Sequence, residues 1–150
     1  MDNLLTTENL SVDFETDQGI VHAVRNISFD VKKGEILGIV SGSGKSVTMY
    51  SIMGLLGDTA HIHCDSMLFD GTDINPASYP GKKAYSAVMK RLCGSSMAMI
   101  FQDPMTFLNP TMKIGKQLCE PILNHTSMTK QQARQRALEL MSLVGIPSPE

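Results

Sequence analysis

The sequence has no tryptophan, and its 150 residues include only five phenylalanines and three tyrosines. It also lacks any apolar run near the ~18 residues that a membrane-spanning helix needs, because its longest apolar segments, ILGIV and MAMIF, have the length of strands. The opening residues, MDNLLTTENL, have no basic stretch followed by an apolar one, so we expect no signal peptide. With 42% hydrophobic and 19% charged residues, the composition is that of a globular domain.

Cysteine is scarce, and its spacing excludes a disulfide framework. The three cysteines, Cys64, Cys93 and Cys119, cannot all pair, and none of them forms a CxxC motif. They are interpreted as reduced thiols of a cytoplasmic protein. His61 and His63 fall on one face of a predicted strand, but without a third and fourth ligand we favour surface residues over a metal site.

Charge is unevenly distributed along the chain. The net charge is −2, but residues 1–75 carry 4 basic and 11 acidic side chains, whereas residues 76–150 carry 9 and 4. An excess of basic residues can indicate a surface for nucleic acid or lipid. Here the lysines and arginines are dispersed and have no interleaved aromatics, so we expect solvated helix faces and no nucleic-acid partner.

Hydrophobic patterning predicts an N-terminal antiparallel β portion. Alternating apolar residues indicate strands near residues 10–14, 20–24 and 27–31, with a turn at ETDQG. The segment EILGIV, residues 35–40, is apolar on both faces and predicts a strand buried in the middle of a sheet. A further β segment follows from His61, with a turn at Asp70-Gly71.

Helical patterns dominate the rest of the chain. We expect helices from Lys45 to about Leu56 and from about Lys82 to Leu92. A short strand should follow in SSMAMIF, and a short helix should lie between Pro110 and Pro121. The last helix has a capping box formed by Thr129-x-x-Gln132 and a stop at Gly145. Together these elements predict an α/β fold.

The segment GIVSGSGKSVT, residues 38–48, is close to the phosphate-loop pattern G-x-x-x-x-G-K-[ST]. The pattern expects its first glycine at position 39, which is Ile39. Successive amides from Gly42 to Ser46 can bind an anion at a helix N-terminus. Lys45 would reach the β- and γ-phosphates, and the Ser46 hydroxyl would bind Mg²⁺. The alternative is a flexible Gly/Ser turn with a solvent-facing lysine.

Several segments together resemble the N-terminal half of an ABC transporter ATP-binding subunit. They include AVRNISFDVKKGEILGIV, SGSGKSVTMYSIMGLL and ALELMSLVGIP, while FQDPMTFLNP is close to the FQDPMTSLNP of the dipeptide/oligopeptide importers. The resemblance implies a phosphate-loop ATPase core over about residues 1–102 and the start of a helical subdomain over about 103–150. It also implies ATP and Mg²⁺ as cofactors, a second ATP-binding subunit, permease partners and a cytoplasmic location on the inner face of the cell membrane.

The resemblance assigns roles to two further residues. Phe14 matches the aromatic that stacks on adenine, although its place in the pattern alone favours a strand core residue. Gln102 matches the Q-loop glutamine that contacts Mg²⁺ and the attacking water, although an ordinary polar residue at a strand end is the alternative. The predicted nucleotide-binding residues are Phe14, Ser41, Gly42, Ser43, Gly44, Lys45, Ser46 and Val47, with Ser46 and Gln102 at the metal and Gln102 as the catalytic residue.

The chain departs from the family pattern within the phosphate loop. The family reads GIVGESGSGKS where this chain reads GIVSGSGKS, so two residues after Val40 are missing. Drawing Ile39 and Val40 out of a buried strand would cost about 1.5–3 kcal/mol for each side chain. A single phosphate contact returns about 1.5–3 kcal/mol. We therefore expect the strand to persist, the loop to stay short, and ATP to bind weakly or not at all.

A second departure concerns catalysis. The family's LSGGQ signature, Walker B aspartate, catalytic glutamate and switch histidine lie downstream of the matching segments and do not occur in these 150 residues. The resemblance therefore implies that the chain cannot hydrolyse ATP alone. Two hypotheses follow: an ATP-binding component of a peptide importer, or a truncated, non-enzymatic product with weak or no nucleotide binding. The transported ligand stays open among dipeptides, oligopeptides and nickel.

Overall fold

The computed structural model describes residues 3–40, 44–101 and 108–148. The chain divides into two compact units, Met1–Cys93 and Gly94–Glu150. No helix in the described ranges is long and apolar enough to cross a membrane. The functional division predicted near residue 102 is a different boundary and stays a prediction.

The first unit is built on an antiparallel sheet. A long hairpin turns at residues 17–18, two shorter strands pair with the free edge of its first strand, and a third short strand pairs with one of these two. The strands are β1 (Asn3–Thr16), β2 (Gly19–Lys32), β3 (Ala60–His63), β4 (Ser66–Phe69) and β5 (Thr72–Asp73). The sheet order is β2-β1-β4-β5, and β3 also pairs with β1. The predicted antiparallel β portion and the turn at Asp70-Gly71 are confirmed.

The buried core of this unit reflects the alternation of buried and less buried side chains along β1. Leu10 and Val12 are fully buried, as are Met67 on β4 and Ile74 after β5. The intervening side chain of Ser11 is only half-buried, and its hydroxyl accepts a hydrogen bond from the Asn26 amide on β2 at 3.0 Å. The alternation of apolar and polar residues thus places one face of the hairpin against the rest of the unit.

The described part of the first unit also contains two α-helices and a short 3-10 helix, Pro76–Ser78. The α-helices are α1 (Lys45–Ile52) and α2 (Lys82–Leu92), and α1 packs against both β1 and β2. Helix α1 stops before the predicted Leu56, because Gly54 takes a left-handed φ of 65°. A Cβ atom at Gly54 would lie 2.9 Å from the Tyr85 hydroxyl of α2, so this turn requires glycine.

The expectation of a buried strand at EILGIV is wrong. Residues 35–40 have no regular secondary structure, and 98% of Ile36 and 97% of Val40 is exposed. A strand buried on both faces needs paired neighbours and covering layers. Within the described residues, no strand pairs with this segment. The same reason applies to the strand expected in SSMAMIF, where residues 98–100 are irregular and Ile100 is 95% exposed.

The second unit contains an antiparallel helical hairpin. Helices α3 (Ile114–His125) and α4 (Lys130–Leu143) are joined by residues 126–129 and pack on each other. The predicted capping box is confirmed, because the Gln132 amide donates to the Thr129 hydroxyl and the Thr129 amide donates to the Gln132 side chain at 2.8 Å. Gly145, with φ of 82°, follows the helix end as expected.

The predicted end of the helix before Pro121 is wrong. Helix α3 runs to His125 and contains Pro121 in its interior. Proline there removes one backbone hydrogen bond and costs about 3 kcal/mol. Packing of α3 along α4 outweighs this local penalty, because tertiary contacts routinely override propensity.

The exposed apolar segment at residues 36–40 is expected to cause association between copies of the chain. We expect the chain to self-associate, and the double change Ile36→Lys/Val40→Lys to reduce its apparent mass, because contiguous exposed apolar residues favour intermolecular contact. Size-exclusion chromatography with light scattering measures this mass. Leu55→Lys, which changes an apolar side chain that is 51% exposed and lies outside this segment, is the control. Equal masses for the parent and the double variant would contradict the expectation.

Candidate phosphate-binding site

Gly44 fixes the start of helix α1 on the surface of the hairpin. It is the N-cap residue of α1 and has φ of 92°. A Cβ atom at this position would lie 3.0 Å from the Ala23 carbonyl oxygen of β2 and 3.7 Å from Val24 Cγ2. Both the left-handed backbone and the close approach therefore require glycine. The N-terminus of α1 is consequently held against β2.

Two buried hydroxyl side chains brace the first turns of α1. The amide and the hydroxyl of Thr48 both donate to the Gly44 carbonyl oxygen, at 2.8 and 2.9 Å. The Ser51 hydroxyl donates to the Thr48 carbonyl oxygen at 2.7 Å. Thr48 and Ser51 are 3% and 0% exposed. Sequence reasoning missed both residues, because a threonine or serine inside a helix is as often a solvated residue as a buried brace.

The first residues of α1 form a positive, solvent-facing helix end. Lys45 and Ser46 are exposed, Val47 is half-buried, and the first turn contains no acidic residue. The first N–H groups of any helix lack an acceptor within that helix, and the helix dipole adds positive potential at the same end. This arrangement can bind an anion through backbone N–H groups, a lysine charge and a serine hydroxyl.

Phe14 belongs to the hairpin against which α1 packs. It lies half-buried on β1, where it pairs with Val21 of β2 and with Ala60 of β3. Val21 is two residues before Ala23, whose carbonyl oxygen approaches Gly44. The structure thus places Phe14 and the start of α1 on the same hairpin. Its proposed stacking on adenine stays a prediction.

The remaining predicted site residues lie outside the described part of the chain. Ser41, Gly42, Ser43 and Gln102 fall in the gaps at 41–43 and 102–107. Their predicted roles therefore stay predictions. Among the described candidates, the structure brings Gly44, Lys45, Ser46 and Val47 together at one helix end.

The predicted cost of extending the phosphate loop is wrong for this structure. That cost assumed that Ile39 and Val40 are buried in a strand, whereas they are 36% and 97% exposed and irregular. Moving them therefore breaks no strand pairing within the described residues. The expectation that ATP binds weakly or not at all stays a prediction.

Other reactive side chains do not form a competing site in the described residues. Burial raises the pKa of the Cys64 and Cys93 thiols, which keeps both protonated and poorly nucleophilic near neutral pH. The His61 ring lies 3.6 Å from the Glu15 carboxylate. No group of three or more potential metal ligands occurs in the described part of the chain.

Comparison with known proteins settles the family. The model of the ABC transporter family matches residues 24–149. The chain belongs to the ABC transporter family. It is 46% identical to the dipeptide transport ATP-binding protein DppD of Lactococcus lactis subsp. cremoris (strain MG1363), over 99% of this chain and 42% of that protein. It is 45% identical to the oligopeptide transport ATP-binding protein OppD of Bacillus subtilis (strain 168), over 98% of this chain and 40% of that protein.

Two further comparisons extend this result. The glutathione import ATP-binding protein GsiA of Escherichia coli (strain K12) is 40% identical over 99% of this chain and 24% of its own length. The fold matches that of the dimeric ATP-binding cassette MJ0796, solved with ADP and Pi, at a TM-score of 0.68 and 22% identity over 93% of this chain and 56% of that one. The predicted α/β fold of an ABC ATPase core is thus confirmed. The chain spans about two fifths of the length of DppD and OppD.

The anchoring of α1 at Gly44 predicts that replacing this glycine destabilises the chain much more than replacing a glycine elsewhere. Gly44→Ala should lower the free energy of unfolding by roughly 1–3 kcal/mol, because alanine is strained at φ of 92° and its Cβ would meet the Ala23 carbonyl oxygen. Gly57→Ala is the control, since a Cβ there meets no atom within 4 Å and its φ is not positive. Urea denaturation followed by circular dichroism measures both. Equal stabilities for the two variants would show that Gly44 does not anchor the helix.

Proposed function

We propose that this chain binds the phosphates of ATP through the N-terminus of α1. The observation that carries the proposal is Gly44, which is held on β2 in a left-handed conformation and presents Lys45 and Ser46 at a helix end with no acidic residue. The amides of residues 44–47 bind phosphate oxygens, and Lys45 adds a point charge on the β- and γ-phosphates. A side chain at position 44 would disturb the arrangement of these amides.

The donor set also fits Mg²⁺. Magnesium keeps several waters and binds substrate phosphate oxygens, so the exposed Ser46 hydroxyl is proposed as one protein ligand in the described site. Gln102 is proposed as a second ligand. When bound, the metal ion neutralises charge on the phosphates. Phe14 is proposed to contact the adenine ring from the adjoining hairpin.

We infer that the chain acts within the ATP-binding subunit of a peptide-type importer. The names of its relatives DppD and OppD support this role, and both describe ATP-binding proteins of peptide transport. We further propose that it works with a second ATP-binding subunit, as the dimeric MJ0796 structure suggests, and with permease subunits at the cytoplasmic face of the membrane. Residues from about 103 onward are proposed to face the permease.

These 150 residues are proposed to bind nucleotide without hydrolysing it. The proposed site contributes a lysine, a serine hydroxyl and the Gln102 amide, but no carboxylate that could hold the metal ion or orient an attacking water. Positioning of these groups accounts for most of phosphoryl-transfer catalysis. Turnover therefore needs further groups, which a longer chain or a partner subunit would supply.

Isothermal titration with MgADP tests the proposed site. We expect Lys45→Ala to weaken binding by about tenfold or more, because a charged hydrogen bond to phosphate contributes roughly 1.5–3 kcal/mol. Lys90→Ala, at an exposed position near the end of α2, is the matched control and should bind like the parent chain. Equal affinities for the Lys45 and Lys90 variants would contradict the proposal.

A chain with Gly-Glu inserted after Val40 distinguishes the proposed nucleotide binding from the alternative of a truncated product that does not bind nucleotide. If Ile39 and Val40 lengthen the loop, the insertion changes affinity for MgADP only slightly. Binding seen with the insertion and absent without it would favour the truncated, non-binding product. Phosphate release from MgATP should stay at background in both chains.

A further inference from the structure

Thr48, one turn into α1, directs two donors at one acceptor. Its amide and its hydroxyl both donate to the Gly44 carbonyl oxygen, at 2.8 and 2.9 Å. A carbonyl oxygen has two lone pairs, so these two bonds use its accepting capacity fully. Thr48 is only 3% exposed, so its hydroxyl is shielded from competing water. The Gly44 carbonyl is thus held by two bonds from one residue.

Helix stability alone does not account for the second of these bonds. The amide bond already closes the first turn of α1, and a threonine hydroxyl that bonds to the carbonyl four residues earlier slightly destabilises a helix as a rule. Valine has nearly the same size and branching, and it would fill this buried position without a polar group. The hydroxyl therefore acts on the peptide group that it contacts rather than on the helix as a whole.

The peptide group that Thr48 holds also carries the amide of Lys45. Gly44 has φ of 92° and no Cβ atom, so its backbone can adopt several conformations unless contacts restrict it. A peptide group is planar, and none is cis in the described residues, so the Lys45 N–H points opposite to the Gly44 carbonyl oxygen. Because that oxygen points into α1 toward Thr48, the N–H points out of the helix N-terminus.

We propose that Thr48 is a positioning residue for phosphate recognition, because its hydroxyl fixes the direction of the Lys45 amide that donates to the bound phosphate. Two donors on the carbonyl oxygen also polarise the peptide group and make its N–H a stronger donor. Since Thr48 is buried, it acts through this peptide group and not by touching the nucleotide. This inference rests on the proposed binding of nucleotide at α1, and it assigns part of the affinity to a side chain outside the binding surface.

Three variants test the role of the hydroxyl by isothermal titration with MgADP. Thr48→Val removes the hydroxyl and keeps the branched shape, so it should weaken binding about three- to tenfold, the effect of one ordinary hydrogen bond. Thr48→Ser keeps the hydroxyl and loses a buried methyl group, so it should bind like the parent chain although urea unfolds it at a lower concentration. Thr7→Val is the matched control, because Thr7 is 1% exposed and its hydroxyl has no hydrogen-bond partner among the described residues.

The outcomes separate this inference from the proposed function. Affinity that is reduced in Thr48→Val and kept in Thr48→Ser and Thr7→Val is the expected result, since a purely structural role would make affinity follow stability. Equal affinities for Thr48→Val and the parent chain, or an equal loss in Thr48→Ser, would overturn the inference while Lys45→Ala still weakens binding. If Lys45→Ala binds like the parent chain, the proposed function fails and this inference fails with it. Circular dichroism verifies that each variant is folded at the titration temperature.

Discussion

The close approach of Gly44 to the Ala23 carbonyl oxygen is the contact on which the candidate site depends. It requires a residue without a Cβ atom at the N-cap of α1, and it seats that helix on the long β1–β2 hairpin. The buried Thr48 and Ser51 hydroxyls then hold the first turns together. As a result, Lys45 and Ser46 lie at an exposed helix end on a rigid support, which is what recognition of a phosphate group needs.

Local patterns were predictable where short-range chemistry decides the structure. The hairpin follows from alternation around a turn, and the start of α4 follows from the reciprocal hydrogen bonds of Thr129 and Gln132. The prediction of a buried strand at EILGIV was wrong for the opposite reason. Burial on both faces depends on neighbouring strands rather than on the composition of the segment itself. The predicted helix end before Pro121 was wrong because packing between the two helices outweighed the local tendency of proline to end a helix.

The candidate site was predictable only in part. The spacing of glycine, lysine and serine identified the residues at the start of α1, but nothing in the sequence indicated that Ala23 supports Gly44 or that Thr48 and Ser51 brace the helix. The site therefore arises from contacts between elements.

Amide hydrogen exchange at the start of α1 tests most directly whether this helix end holds phosphate. The amides of residues 45–47 open α1, so they should exchange more slowly with saturating MgADP than in the free chain, because bound phosphate would accept their hydrogen bonds. Protection at these amides, absent with adenosine alone, is the result we expect. Unchanged exchange at residues 45–47, with nucleotide bound elsewhere on the chain, would contradict phosphate recognition at α1.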